Sequence, residues 1–151
     1  QMEEWNSGTA LSWERSDEPL PAGVGAMLSD LNRLQSAHAA LSEWDCDARG
    51  FEWLSGDDRE QSVISFLRRG QHESLAVVLN FTPVARDGYR IPVAAPGVYE
   101  EIFNSDALTY GGSGVENRGD LHTEHIGFNR REHSLRFTLP PLAGVVLRFQ
   151  S

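Results

Sequence analysis

Apolar positions follow two different periods along the chain, and the change comes near residue 50. Before it, apolar residues recur at the three- and four-residue spacing that places side chains on one face of an α-helix. They are Val24, Met27, Leu28, Leu31 and Leu34. Pro19 and Pro21 precede this stripe, where proline can begin a helix but not lie inside one. The pattern predicts an amphipathic helix from about residue 24 to residue 40.

From Gly50 onward the pattern predicts short β-strands instead. Eight segments rich in β-branched and aromatic residues are separated by turn signals about every ten residues. These segments are 51–54, 62–69, 75–81, 89–93, 98–103, 121–126, 134–139 and 142–149. Parallel strands would need crossover helices, and no helical period lies between these segments. The sequence therefore predicts an antiparallel sandwich or barrel.

Strand alternation also predicts faces and turns. Val77 and Leu79 share one face of their strand, and Val78 lies on the other. If that strand and the last one are central, Leu79 and Leu147 belong to the core, whereas Thr138 points outward. The polar segment 55–58 and the Asp-Gly pair at 87–88 are predicted as turns.

Composition narrows the class of protein. The chain has 151 residues, which suits one domain, and its formal net charge of −9 makes nucleic acid and anionic membranes poor partners. A single cysteine, Cys46, excludes an internal disulfide and indicates a reducing, cytoplasmic location. No apolar run reaches the length of a membrane span. Because the chain starts at Gln1, we expect it to be a piece of a longer protein or a tagged product.

The sequence shows no motif that predicts a catalytic, cofactor or metal site. The glycines at 111, 112 and 114 lack the spacing and the βαβ context of a dinucleotide fingerprint, so we expect a long surface loop. His122 and Glu124 share a strand face, but His125 points away, so three metal ligands do not converge. We expect no cofactor.

Tryptophan provides the best candidates for ligand contact. Trp5 and Trp13 lie in a polar segment ahead of the helix, where the pattern predicts no core. They fit either a sugar-binding surface, with Asn6 beside them, or packing against a partner domain. Trp44 and Trp53 flank the junction of helix and strands, and we expect both to be buried there.

Several blocks of the chain resemble the end of the catalytic barrel and the following domain of bacterial glycogen (1,4-alpha-glucan) branching enzymes. They are 4–6, 11–13, 28–34, 50–54, 62–70, 80–84, 87–90, 104–106, 110–114, 133–135 and 139–142. The blocks occur in order and cover essentially the whole chain. The resemblance implies a mainly β fold, an alpha-amylase C-terminal-type antiparallel β-sandwich. A loop and one amphipathic helix from the end of a (β/α)8 barrel would precede it.

On that resemblance, residues 1–45 are the end of the barrel and residues 46–151 the sandwich. The parent would be a retaining transglycosylase that cuts α-1,4-glucan and forms α-1,6 branches. Its partners would be α-glucan, as glycogen or maltooligosaccharide, and the rest of the barrel. The family's catalytic carboxylates lie on earlier barrel strands, so no catalytic residue is carried over and the isolated chain is expected to be inactive.

The loop that contains Trp5, Asn6 and Trp13 would lie at the rim of the active site, which makes these three residues the predicted substrate contacts. The alternative is a stand-alone glucan-binding β-sandwich module. A third possibility is a purely structural domain that shields the barrel.

Overall fold

The structure is a computed structural model that describes residues 6–10 and 12–150. Within these residues lie one α-helix, α1 (Pro19–Ala37), and eight β-strands. The strands are β1 (Phe51–Asp58), β2 (Val63–Arg69), β3 (Ser74–Asn80), β4 (Arg86–Pro92), β5 (Val98–Asn104), β6 (Leu121–Glu124), β7 (Ser134–Leu139) and β8 (Gly144–Gln150). Short 3-10 helices cover Trp13–Asp17, Ala39–Leu41, Ala48–Gly50 and Leu108–Tyr110. The predicted helix and all eight predicted strands are confirmed.

Every strand pair in the described part of the chain is antiparallel. Hydrogen bonding joins the strands in the order β1-β2-β3-β8-β5-β6-β7-β4, so β1 and β4 are the edges. The two edges approach each other, and the Tyr89 hydroxyl donates a hydrogen bond of 2.8 Å to Asp58. The sheet thus folds over to enclose one core, which confirms the predicted sandwich.

Seven strands contribute buried residues to the core between the two layers, and Leu121 of β6 packs against it partly buried. The buried residues of the core are Leu54, Val63, Leu67, Ala76, Val78, Ile91, Val93, Tyr99, Leu135, Phe137, Leu139, Val145 and Leu147. Leu147 is fully buried, as predicted, and Thr138 lies outside this cluster. Leu79, however, is only half-buried, because the other face of β3, with Ala76 and Val78, points into the core. The prediction of a fully buried Leu79 is therefore wrong.

The structure corrects the predicted boundaries at three places in particular. The helix begins at Pro19, five residues early, because the first helical turn needs no backbone N–H donors and accepts both prolines. Residues 55–58 belong to β1, where two register shifts replace the predicted turn. Gly88 lies inside β4 at another register shift, with φ of +64°, so the Asp-Gly pair forms a bulge instead of a turn.

The outer face of β3, β8 and β5 is covered by the end of α1 and the 3-10 turn after it. Ala40, Leu75 and Val146 form a second buried cluster there. Partly buried apolar residues pack against it: Leu34, Leu41, Val77, Ile102 and Phe103. At the end of the helix, His38 Nδ1 lies 2.7 Å from Glu73 Oε1, which joins α1 to the β2–β3 connection.

The predicted glycine-rich loop is present, and it is organised around the buried carboxylate of Asp106. Both carboxylate oxygens accept hydrogen bonds: Ser113 donates from its backbone and its hydroxyl, and Val115 donates from its backbone. Gly112 is required here, because an added Cβ would lie 2.2 Å from the Asp106 carbonyl oxygen. The loop is thus a fixed part of the fold.

This loop also holds the first half of α1. Tyr110 stacks on Phe103 with ring centroids 5.9 Å apart, and its hydroxyl donates a hydrogen bond of 2.7 Å to Asp30. Burial, and then the hydrogen bond to the Asp30 carboxylate, raise the pKa of Tyr110 to about 12. Gly23 lies against the same residue, since an added Cβ there would lie 2.5 Å from the Tyr110 carbonyl oxygen.

No helix in the described residues has the length and apolarity to cross a membrane.

Candidate functional site

Three aromatic side chains gather on the outer face of the β1–β2 pair. Alternation along β1 places Phe51 and Trp53 on the same face, while Leu54 points into the core. Antiparallel register brings Phe66 of β2 opposite Trp53. We call Phe51, Trp53 and Phe66 the aromatic cluster.

The rings of this cluster lie edge to face and tilted, an arrangement that aromatic pairs favour. The centroids of Phe51 and Trp53 are 4.9 Å apart with planes at 88°. Phe51 and Phe66 are 5.1 Å apart, and Trp53 and Phe66 are 6.0 Å apart. Each ring of the cluster therefore packs against the other two.

Trp53 is the most exposed member of the cluster, with 56% of its surface accessible, and Phe51 is 38% exposed. The expectation that Trp53 is buried at the helix–strand junction is wrong for a topological reason. β1 is an edge strand, and the helical cover of this sheet face contacts β3, β8 and β5 instead. Gly56 adds room for the indole, because a Cβ there would lie 3.2 Å from Trp53 Cε3. Trp44, the other residue expected at the junction, is half-buried.

Charged groups surround the cluster and are themselves paired. Arg68, the register partner of Phe51, forms a 2.6 Å ion pair with Asp45. On the opposite side of β1, Glu52 accepts hydrogen bonds from Arg69 and Arg131. These pairs fix the hairpin and leave the apolar rings as the open feature of the surface.

Such a surface suits a carbohydrate. One face of a pyranose ring presents C–H groups, and an exposed indole covers that face while hydroxyl groups stay in contact with water and nearby polar groups. The described residues offer no competing catalytic arrangement here. They also contain no group of three or more His, Cys, Asp or Glu side chains that could hold a metal ion.

The substrate contacts predicted from the sequence are only partly described. Trp5 lies outside the described residues. Trp13 begins a 3-10 helix and is 73% exposed, and in the described part of the chain it stacks on no other ring. Asn6 is exposed, and its side-chain oxygen accepts a hydrogen bond from Gly8. The role of these three residues stays a prediction.

Sequence reasoning missed the aromatic cluster, although one signal for it was present. The aromatic–polar–aromatic spacing of Phe51 and Trp53 ahead of Leu54 places two rings on one strand face. Whether that face is covered depends on the position of β1 in the sheet, which local pattern does not reveal.

The other candidates stay apart in the structure. Glu124 forms an ion pair of 2.5 Å with Arg90, and His125 stacks on His133 with centroids 4.8 Å apart. Neither residue is directed toward a shared centre with His122, which is exposed.

The chain is similar to known proteins over nearly its full length. It is 49% identical over 150 residues to the 1,4-alpha-glucan branching enzyme GlgB of Rubrobacter xylanophilus, covering 98% of this chain and 21% of that protein. It is 48% identical over 147 residues to the GlgB of Methylococcus capsulatus, covering 97% of this chain and 20% of that protein. The chain thus spans about one fifth of the length of these relatives.

Structure and family comparisons agree with this result. The crystal structure of an alpha-amylase from H. orenii matches 96% of this chain and 24% of its own, with a TM-score of 0.54 and 17% sequence identity, which shows a shared fold. Residues 53–150 match the model of the alpha amylase C-terminal all-beta domain. This chain belongs to the family of alpha-amylase C-terminal all-beta domains.

Proposed function

We propose that this chain is the C-terminal portion of a glycogen branching enzyme and that it supports the catalytic barrel. In this proposal residues 1–45 are the last loop and helix of the barrel, and residues 46–151 are the sandwich. The names of the relatives and their roughly fivefold greater length support it. The excess of negative charge argues against nucleic acid as a partner, and the exposed thiol of Cys46 fits a reducing cytoplasm.

The orientation of α1 is the observation that carries this proposal. At 3.6 residues per turn, Gly23, Asp30 and Leu34 face the sandwich, and the centre of the apolar stripe lies roughly a quarter turn away. Val24 and Leu28 on that stripe are both more than half exposed. A helix that evolved to serve this sandwich alone would bury its stripe against it.

Retaining cleavage needs two carboxyl groups about 5–5.5 Å apart across the scissile bond. Since the resemblance places the family's catalytic carboxylates on earlier barrel strands, we expect the isolated chain to form no branches. Branching by the chain can be measured as new α-1,6 linkages in amylose, detected by debranching and chain-length analysis. We expect none from residues 1–151 and many from the longer polypeptide of the same gene. Branches formed by the short chain, or an inactive long polypeptide, would contradict the proposal.

The aromatic cluster favours a second function, glucan binding by the sandwich itself. We expect maltoheptaose to bind the 151-residue chain weakly, and Trp53→Ala to weaken binding at least about tenfold. Trp13→Ala is the matched control, since Trp13 is an exposed tryptophan outside the cluster. Calorimetric titration separates the outcomes. Loss of binding in Trp13→Ala alone would move the site to the segment predicted from the sequence, and no binding at all would leave only the supporting role.

A further inference from the structure

Two turns at one end of the sandwich are locked together by a single buried side chain, Asn80. Its amide nitrogen donates hydrogen bonds of 2.9 Å to the Val84 carbonyl and 2.7 Å to the Pro140 carbonyl. Its amide oxygen accepts from both the backbone and the hydroxyl of Thr82. We call residues 80–84 and 140–143 the Asn80 knuckle. All the hydrogen-bonding capacity of a buried amide is used there to fix the shape of two exposed turns.

The knuckle presents apolar side chains to the outside. Leu142 is 67% exposed, and Phe81 and Val84 are each more than half exposed. The segments 80–84 and 140–143 contain no charged residue, in a chain with a net charge of −9. Depletion of charge, not bulk apolarity, distinguishes the core of a protein interface from ordinary surface.

Leu142 is held in a conformation that it would not adopt without constraint. Its φ is +47°, in the left-handed region that favours glycine, and its N–H donates a 2.8 Å hydrogen bond to the Thr82 carbonyl. Glycine would relieve this strain, yet the chain keeps an exposed leucine. Strain maintained by surrounding structure points to a role for the side chain.

The knuckle is continuous with the beginning of α1. An open depression of about 460 Å³ is lined by Pro83, Pro141 and Leu142 on one side and by the loop from Tyr110 to Gly112 on the other. Gly111 in turn adjoins Leu20, because an added Cβ would lie 3.5 Å from Leu20 Cδ2. Leu20 is itself exposed and lies one helical turn before Val24, the first residue of the apolar stripe of α1. The floor of the depression is polar, with Ser105, Ser113 and the Asp106 carboxylate, which is hydrogen-bonded within the loop. The exposed apolar side chains of Leu20 and Leu142 therefore flank one continuous depression between the helix and the sandwich.

We propose that the Asn80 knuckle, together with Leu20, is an anchor that docks the sandwich onto the polypeptide preceding it in the branching-enzyme parent. The inference rests on the proposed function. The family is a C-terminal domain, and its relatives are about five times longer, so most of their chain precedes α1. The described segment that leads into α1, Trp13–Asp17, reaches the helix at its first turn, which contains Leu20 and lies at the end of α1 nearest the knuckle. Its matching surface would be apolar and uncharged.

Side-chain footprinting tests this directly. Hydroxyl radicals should oxidise Phe81, Val84 and Leu142 in the 151-residue chain, and at least about fivefold less in the intact longer polypeptide. Ile126 is an exposed aliphatic residue elsewhere on the sandwich and should be oxidised equally in both. Equal oxidation of Leu142 in both proteins would overturn the inference.

Two variants separate docking from folding. Leu142→Gly should raise the Tm of the 151-residue chain by about 2–4 °C, since it removes strain, and Leu142→Asp should leave it unchanged. In the intact polypeptide, Leu142→Asp should lower the Tm by several degrees, whereas Ile126→Asp should not. An unchanged Tm for Leu142→Asp in the intact polypeptide would contradict docking. The 151-residue chain could instead self-associate, which sedimentation would show as a concentration dependence. If Leu142→Asp abolished that self-association, the surface would bind a second copy of the chain, and the proposal would be overturned.

The inference and the proposed function fail in different ways. If the intact wild-type polypeptide forms no α-1,6 linkages, the proposed function is wrong. If it is active but Leu142 remains accessible in it, only the docking surface is wrong.

Discussion

The sandwich core and helix α1 have equally clear apolar patterns, and the structure treats them differently. Inside the sandwich, the inward residues of seven strands meet and are almost fully buried. On α1 the predicted stripe is only partly covered: Val24 and Leu28 are more than half exposed, whereas Met27, Leu31 and Leu34 are half-buried. An apolar pattern shows that a face evolved to be covered. It does not show that the covering partner lies in the same chain.

Among the described residues, both polar and apolar contacts hold α1. Gly23 and Asp30 meet Tyr110, and His38 meets Glu73, while Leu34 reaches the small second cluster. The sandwich depends on buried apolar area, which contributes roughly 25 cal/mol per Å². We therefore expect substitutions in the core to affect stability more than substitutions on α1.

The largest effect should come from the sandwich core. Leu147→Ala should cost about 2–5 kcal/mol of unfolding free energy, because the side chain is fully buried and leaves a cavity. Leu79→Ala, in a half-buried leucine on the outer face of β3, should cost about 1–2 kcal/mol, and Thr138→Ala less still. Urea unfolding of the three variants measures the loss of unfolding free energy for each and so tests this ranking. Equal losses for Leu147 and Leu79 would show that both faces of the sheet are equally buried.

The sequence predicted the strands well because alternation and turn signals are local. All eight strands overlap the segments that the pattern assigned to them, although β1 and β4 extend into predicted turns. Local patterns do not reveal features that depend on neighbours distant in sequence. These features are the face of β3 that meets the core, the exposure of Trp53 on an edge strand, and the ordering of the glycine loop by Asp106. The predicted site residues Asn6 and Trp13 are exposed in the described part of the chain, and their role stays a prediction.

The next largest effect on stability should come from the close packing of α1 against the glycine-rich loop that contains Tyr110. Gly23→Ala should destabilise the chain by about 1–3 kcal/mol, because the new Cβ would clash with the Tyr110 carbonyl and push the helix away. Gly25→Ala is the matched control, since nothing lies within 4 Å of a Cβ there. It should stabilise by about 0.5–1 kcal/mol through helix propensity alone. Thermal unfolding compares the pair, and a stabilising Gly23→Ala would mean that this contact is loose.

A smaller effect should follow from the hydrogen bond between Tyr110 and Asp30. Tyr110→Phe should cost about 1 kcal/mol at pH 7. Because folding raises the pKa of Tyr110 from 10.0 to about 12, the folded state holds this proton more tightly. The stabilisation is therefore complete below pH 10 and is lost as pH rises toward 12.

This pH dependence is measured as the difference in unfolding free energy between the wild type and Tyr110→Phe at each pH. Tyr89 and Tyr99 also have raised pKa values through burial, so the wild type alone does not isolate Tyr110. Unfolding free energies of wild type and Tyr110→Phe should converge between pH 10 and 12. A constant gap across that range would show that the hydroxyl contributes nothing through its proton.

The smallest effect on the isolated chain should come from the outward stripe itself. Leu28→Glu should change the unfolding free energy by less than about 0.5 kcal/mol, since Leu28 is 54% exposed and glutamate has nearly the helix propensity of leucine. Leu34→Glu, on the same helix but packed against the second cluster, should cost about 2 kcal/mol or more, because it brings a carboxylate against apolar side chains. Urea unfolding of the two variants compares a covered and an uncovered position of one stripe. If Leu28→Glu costs as much as Leu34→Glu, the stripe is already buried in the 151-residue chain, and the contrast between helix and sandwich does not hold.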